Sequence, residues 1–189
     1  MNNPQIYRHP GTFVLEQGGS IEGLEIAYHI YGKPDAKCSN VVWVCHALTA
    51  NSEVADWWPH TVEAGGFLDP EKYCIVCANI LGSCYGTTGP LSVNPSTGHC
   101  YYEDFPAVTI ADMVRAHQLL ADYLGIGCIH ALVGSSVGGF QAVEWAIQEP
   151  LRIGTLALIA TDACATPWAL AIDEAQRMAI RADATVGAH

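Results

Sequence analysis

The sequence predicts a single α/β domain with a mainly parallel sheet and flanking helices. Short apolar runs alternate along the chain with segments of helical periodicity, which is typical of that class. One run, residues 41–45, is apolar at every position, as expected for a strand covered on both faces. The chain has 189 residues, of which 50% are hydrophobic and 14% charged, and this suits one buried core.

The N-terminal half predicts strands and one helix. Residues 12–15 and 24–31 indicate an opening hairpin, because three glycines lie between them. The run at 41–45 and a second one at 73–78 predict buried strands. Between these two, residues 52–64 predict a helix.

A long loop and a well-defined helix come next. Residues 79–101 have no periodicity and are rich in Gly, Pro, Ser and Thr, and their Tyr, Cys and Leu content predicts an ordered lid or site wall. Thr109 and Asp112 fit a capping box at the start of an amphipathic helix that Gly125 ends. His117 lies on the apolar stripe of this helix, so we expect it to be a core residue.

The C-terminal third predicts two further helices around one strand. A helix over 137–148 ends before Pro150, and residues 155–160 form an apolar strand. Thr166 is a suitable N-cap and Pro167 a suitable first helical residue, so a last helix is expected from there to about Ile180.

The sequence Gly134-Ser135-Ser136-Val137-Gly138 joins a predicted strand to a predicted helix. A G-x-S-x-G motif in that context is a nucleophile elbow, which lifts a serine hydroxyl above a parallel sheet. The turn is strained, so the positions two residues from the serine must be nearly free of side chains. Ser136 is therefore the candidate nucleophile. The alternative is a Gly/Ser turn that only caps the helix.

A serine nucleophile needs donors for the oxyanion that forms during the reaction. In elbow folds one donor is the backbone N–H after the nucleophile, here Val137, and the other comes from a loop after an early strand. The segment after 41–45 begins with His46, and we expect the N–H of Leu48 to be the second donor. His46 is alternatively the general base.

The triad acid and base are harder to place. Elbow folds run in chain order serine, acid, histidine. Asp162 lies just past a predicted strand, and the other candidate acids after Ser136 are Asp173, Glu174 and Asp183. The only histidine after Ser136 is His189, the last residue, and a chain terminus is a poor place for a positioned base. We therefore expect a chain cut short before its triad is complete.

Composition argues against several other classes. The formal net charge of −11 disfavours nucleic-acid binding, which needs clustered Lys and Arg. No apolar stretch is long enough for a membrane span, and the N-terminus lacks a secretion signal, so we expect a cytoplasmic protein. The sequence contains no motif for a metal or a nucleotide, and we predict neither a metal site nor a bound cofactor.

The eight cysteines are expected to be reduced thiols. Cys74 and Cys77 form a C-x-x-C pair, but they lie on a predicted strand. Residues three apart on a strand point to opposite faces, so we expect two small core residues instead of a metal site.

Several longer motifs resemble those of the homoserine O-acetyltransferase family, and the resemblance runs from about Leu24 to Arg181. They are His46-Ala47-Leu48-Thr49, the loop 79–90 with Asn94-Pro95-Ser96-Thr97-Gly98, Asp104-Phe105-Pro106, Thr109-Ile110-Ala111-Asp112-Met113-Val114, and the Ser136 elbow with Gln141-Ala142-Val143-Glu144-Trp145. One departure is Ser135-Ser136-Val137, where the family has Gly-Ser-Met.

The resemblance implies the α/β-hydrolase fold, truncated here before its last strands. Residues 1–165 would be the N-terminal part of the hydrolase core and 166–189 the start of a helical cap. It also implies transfer of an acetyl group from acetyl-CoA to the homoserine hydroxyl, through an acyl-serine at Ser136, in methionine biosynthesis. Leu48 and Val137 would be the oxyanion donors, acetyl-CoA a co-substrate, and the full-length protein a homodimer.

Three alternatives remain open at this point. The enzyme could use succinyl-CoA as donor or serine as acceptor. It could be an esterase or thioesterase of the same fold. The chain could also be an inactive N-terminal fragment, which would expose the edge of an unfinished sheet.

Overall fold

The computed structural model describes residues 3–185 and shows an α/β fold. The strands are β1 (Gln5–Arg8), β2 (Thr12–Val14), β3 (Ser20–Glu22), β4 (Glu25–Tyr31), β5 (Val41–Cys45), β6 (Cys74–Ala78), β7 (Ala131–Ser135) and β8 (Leu156–Ile159). The helices are α1 (Val54–Trp57), α2 (Ile110–Tyr123), α3 (Val137–Gln148) and α4 (Pro167–Ala182), with a short 3-10 helix at Tyr102–Asp104.

Six strands form one sheet in the order β1-β4-β6-β5-β7-β8. The pairs β6–β5, β5–β7 and β7–β8 are parallel, while β1 and β4 are added in antiparallel orientation. This confirms the predicted α/β class with a mainly parallel sheet. Because β5, β6 and β7 are parallel, the loops that follow them meet at one edge of the sheet.

The predicted hairpin between 12–15 and 24–31 is wrong. Strand β2 pairs with β3, Thr12 opposite Glu22, in a separate two-stranded sheet. Strand β4 pairs instead with β1 on one side and β6 on the other. Burial explains this pairing. The middle residues of β4 are buried, so their backbone N–H and C=O groups need a hydrogen-bonded strand on each side.

The predicted helix over 52–64 is also wrong in extent. Helix α1 covers only Val54–Trp57. The next residue, Trp58, has φ −126° and ψ 72°, outside the helical region. It precedes Pro59, and a residue before proline is disfavoured in the α conformation. The indole Nε1 of Trp57 donates a hydrogen bond to the Asn51 carbonyl at 2.8 Å, which fixes this short turn.

Helices α2 and α3 pack together on one face of the sheet. The predicted capping box of α2 is present, with Thr109 and Asp112 bonded reciprocally. The expectation that His117 is a core residue is confirmed. Its ring is fully buried, stacks on Trp145 with centroids 5.9 Å apart, and its Nε2 lies 2.8 Å from Oε1 of Gln141. Histidine at this position therefore serves packing.

The two faces of the sheet have separate cores. Cys74 packs with Trp43 and the helices on one face, and Cys77 packs with Val42 and Leu68 on the other. Both thiols are buried and free. The prediction that this C-x-x-C pair points to opposite faces is thus confirmed.

The C-terminal elements contribute little to either core. Strand β8 is an edge strand whose Leu156, Leu158 and Ile159 are exposed. Helix α4 begins at Pro167 as predicted, is capped by Thr166, and has no buried residue. The assignment of 166–189 to a cap stays a prediction, and its last four residues lie outside the described chain.

The buried imidazole of His117 predicts a pH dependence of stability. Desolvation lowers its pKa from 6.5 to about 4. The unfolded chain therefore binds a proton that the folded chain excludes, and the stabilising contribution is lost as pH falls from the unfolded pKa towards the folded one. We expect the free energy of unfolding to fall by about 2 kcal/mol between about pH 7 and about pH 5 from this residue.

Urea unfolding at both pH values measures this, with His117→Gln as the non-titrating comparison. The variant should show a smaller loss of stability on acidification than the unmutated chain. An equal loss in both would contradict the assignment to His117.

Candidate active site

Ser136 lies at the turn between β7 and α3 and has φ 52° and ψ −122°. A positive φ is unfavourable for a residue with a side chain and is maintained only where the surrounding structure enforces it. The side chain is exposed, and its hydroxyl makes no capping hydrogen bond to α3. The turn therefore presents the serine to solvent, and the simple helix-cap alternative does not hold.

Close packing explains the three glycines around Ser136. A Cβ on Gly134 would lie 2.5 Å from the Gly138 carbonyl oxygen and 2.7 Å from Cβ of Ala142. A Cβ on Gly138 would overlap the Cys45 carbonyl at the end of β5, and one on Gly139 would overlap Thr161. The first turn of α3 thus touches the backbone that leads out of β5.

The backbone of Ser136 is held by strand β8 and the residues after it. The Ser136 N–H donates to the Ile159 carbonyl at 3.2 Å. The Ser136 carbonyl accepts from the Gly139 N–H at 2.9 Å and from the Thr161 hydroxyl at 2.9 Å. These bonds maintain the strained conformation.

The two predicted oxyanion donors are on segments that meet beside the serine. Val137 is the first residue of α3, so its N–H has no acceptor within the helix. Leu48 lies in residues 46–53, between β5 and α1, and we call this segment the oxyanion loop after its predicted role. The first residue of that loop, His46, contacts the start of α3, since a Cβ on Gly138 would lie 2.7 Å from the His46 carbonyl oxygen.

His46 fixes the start of the oxyanion loop. It is fully buried; its Nδ1 lies 2.8 Å from the Ala47 carbonyl, and its Nε2 accepts a hydrogen bond from the Ile80 N–H at 3.2 Å. Desolvation lowers the pKa of the ring, which favours the neutral form. Both nitrogens are engaged away from Ser136, so the alternative of His46 as general base is not supported.

The carboxylates considered for the triad are not assembled around the serine. Glu174 forms ion pairs within α4, with Arg177 and Arg181. Asp183 is the C-cap residue of the same helix, and its carboxylate accepts from the backbone N–H and the hydroxyl of Thr185. Asp173 and Asp162 are exposed, and Asp162 follows the residue that donates to the Ser136 carbonyl.

His189 lies outside the described residues. Within residues 3–185, no imidazole or carboxylate is hydrogen-bonded to the Ser136 hydroxyl. In that part of the chain, Ser136 is exposed at the turn, but no general base for it is identified.

A cavity of about 420 Å³ opens beside the oxyanion loop. Part of its lining comes from the loop 79–101, which the sequence predicted as an ordered lid or site wall, and the part from residues 105–113 was not predicted. Its apolar walls include Leu48, Ile80, Leu81, Tyr85, Phe105, Pro106, Val108 and Met113. A larger concavity, about 710 Å³, is formed by the ends of α2 and α3 at the opposite edge of the sheet, remote from the serine.

The described residues contain no cluster of three or more His, Cys, Asp or Glu side chains suited to holding a metal ion. None of their helices combines the length and the apolar character that crossing a membrane requires.

The contact between α3 and β5 predicts strong intolerance at Gly138. Even alanine there would overlap the Cys45 carbonyl, so we expect Gly138→Ala to lower the free energy of unfolding by about 2 kcal/mol or more. Gly127→Ala is a matched control, because a Cβ there would meet no atom within 4 Å. Urea unfolding of both variants measures the difference, and equal stabilities would contradict the elbow geometry.

Comparison with known proteins places this geometry in a family. Residues 40–186 match the family model described as the alpha/beta hydrolase fold. The homoserine O-acetyltransferase of Trichormus variabilis is 44% identical over 179 residues, covering 95% of this chain and 50% of that protein. The chain thus spans about half the length of the curated relatives it matches.

Solved structures agree with this comparison. The homoserine O-acetyltransferase from Bacillus anthracis superposes with a TM-score of 0.84 at 28% identity, over 98% of this chain and 54% of that one. Esterase E22 superposes with a TM-score of 0.88 at 26% identity, over 96% of this chain and 54% of that one. The chain belongs to the α/β-hydrolase fold family and is similar to the N-terminal portion of homoserine O-acetyltransferases.

Proposed function

We propose that this chain belongs to an acyltransferase that moves an acetyl group from acetyl-CoA to the hydroxyl of L-homoserine. The observation that carries the proposal is the exposed, strained Ser136 at the start of α3, which is the geometry of a nucleophile. The 44% identity to a homoserine O-acetyltransferase supports the choice of donor and acceptor.

The reaction would proceed in two acyl transfers. The Ser136 oxygen attacks the thioester carbonyl carbon, and the C–S bond breaks to give an acetyl-serine and the free CoA thiol. The homoserine hydroxyl then attacks the acetyl-serine, forms the ester product and restores the serine. In both steps the N–H groups of Leu48 and Val137 would bind the negatively charged oxygen.

The proton chemistry requires a base that the described residues do not supply. It must take the proton of Ser136 in the first step and that of homoserine in the second. His46 is engaged elsewhere, so we assign neither a triad acid nor a triad base within residues 3–185.

The same fold supports an esterase as a second candidate, which the close superposition with esterase E22 favours. Transferase and esterase share the acyl-serine and differ in whether water or an alcohol reaches it. The cavity beside Leu48 would hold part of the acyl donor in either case. A succinyl donor or a serine acceptor would use the same steps with a different pocket.

The proposal extends to the setting of the enzyme. We place it in methionine biosynthesis in the cytoplasm, with acetyl-CoA as a co-substrate and no bound cofactor. We also propose that the full-length protein is a homodimer and binds neither nucleic acid nor membrane.

Intact mass spectrometry of the natural protein tests the nucleophile. Brief exposure to acetyl-CoA should add one acetyl group, and addition of homoserine should remove it. Ser136→Ala should carry no adduct, because the attacking oxygen is gone. Ser135→Ala is the matched control and should keep the adduct. An adduct of equal yield on the Ser136 variant would refute the assignment.

The fate of the acetyl group separates the two candidate functions. For a transferase, homoserine should speed loss of the adduct by about tenfold or more over water alone, since an oriented acceptor reacts as if at high local concentration. Release of acetate at the same rate with and without homoserine would favour the esterase. O-acetylhomoserine and acetate are quantified by chromatography of the same samples.

A further inference from the structure

A polar network outside the elbow joins the end of the oxyanion loop to strand β4. Nδ1 of His29 lies 2.8 Å from the Ser52 hydroxyl, and its Nε2 lies 3.2 Å from Oε2 of Glu53. The relative exposure of His29 is 8% and that of Ser52 is 1%. Glu53 also accepts from the Tyr31 hydroxyl at 3.1 Å.

The same loop is held from its other side by the loop after β6. The Ser52 N–H donates to Oδ1 of Asn79 at 2.7 Å, and Nδ2 of Asn79 donates to the Tyr85 carbonyl at 2.6 Å. The Tyr85 hydroxyl donates to the Thr49 carbonyl at 3.3 Å. Ser52 is therefore held through its hydroxyl by strand β4 and through its backbone by the loop after β6.

The order Ser52–His29–Glu53 resembles a catalytic triad, but burial gives it another role. A serine with 1% exposure offers no access to an acyl donor. With a proton on Nε2, the His29 ring can donate to the Glu53 carboxylate while Nδ1 accepts from the Ser52 hydroxyl. The cluster is thus a set of satisfied hydrogen bonds at the base of the loop.

We propose that His29 is a positioning residue that sets the oxyanion loop by holding the Ser52 hydroxyl. This inference rests on the proposed role of the Leu48 N–H as an oxyanion donor. Three residues separate Leu48 from Ser52, and His46 fixes the other end of the segment. Leu48 therefore lies in a short segment that is held by hydrogen bonds at both ends, at His46 and at Ser52.

Anchoring matters because an oxyanion donor acts only if it is already aimed when the charge develops. If the loop is mobile, it loses conformational entropy when it becomes ordered around the charged species. This loss weakens the binding of that species. The affinity of the site for a charged species should therefore depend more on the hydrogen bond between His29 and Ser52 than on the one between His29 and Glu53.

Two substitutions of His29 separate these bonds. His29→Asn places an amide oxygen near the former Nδ1 and keeps an acceptor for Ser52, whereas His29→Gln reaches towards Glu53 and leaves Ser52 without its partner. Tyr31→Phe is the matched control, since it removes a bond to Glu53 and leaves Ser52 untouched.

Phenylboronic acid is a suitable probe for the full chain. The Ser136 oxygen forms a bond to boron and its proton leaves to solvent, which makes a tetrahedral anion with an oxygen facing the oxyanion donors. We expect His29→Gln to raise the Kd by about tenfold, and His29→Asn and Tyr31→Phe to stay within about twofold of the unmutated chain. Boron NMR and calorimetry measure the affinity.

Equal weakening by the Asn and Gln variants, or no weakening by either, would overturn the positioning role. If His29→Gln does not fold, Ser52→Ala removes the same bond from the other side and should give the same tenfold loss. Retained boronate binding by Ser136→Ala would instead count against the proposed nucleophile.

Hydrogen exchange gives a reading that needs no chemistry at Ser136. Backbone amides of residues 47–53 should exchange faster in His29→Gln than in His29→Asn, by mass spectrometry of the peptide that spans them. Equal exchange in the two variants would contradict the proposal even if the chain binds no boronate.

Discussion

The close approach of helix α3 to the end of strand β5 is the constraint on which the site depends. Gly138 lies against the Cys45 carbonyl so closely that no side chain fits between them. The chain must then turn sharply out of β7, and Ser136 takes up the positive φ of that turn. One contact therefore both strains the serine and brings the oxyanion loop beside it, which is why the elbow and the loop form a single unit.

Local signals explain which parts of the fold could be predicted. The capping box of Thr109 and Asp112, the bounds of α3 and the turn at Ser136 are each encoded within a few neighbouring residues, and the structure has all three. The partner of β4 was missed because it is decided by burial across the whole sheet. The helix predicted over 52–64 is too long because Trp58, which precedes Pro59, leaves the helical conformation.

The candidate site also combines features that neighbouring residues encode with features that depend on distant contacts. Ser136 and the donors Val137 and Leu48 were predicted from spacing and chain position alone, and their catalytic roles stay predictions. The contact between His29 and Ser52 spans 23 positions, from the middle of a strand to the end of a loop, and no motif encodes it. Polar networks of this kind emerge only once the topology has placed distant segments side by side.

The strand order has a consequence for how the chain reaches this state. Strand β6 lies between β4 and β5, although β5 precedes it in the sequence, and β7 flanks β5 only after the whole of α2 has been made. The backbone hydrogen-bonding groups on the two edges of β5 therefore stay unpaired until the later segments β6 and β7 pair with them. Such long-range closure slows folding and prolongs the exposure of apolar strands. Until β6 and β7 have been made and have paired with it, β5 therefore leaves apolar surface and unpaired backbone open to aggregation.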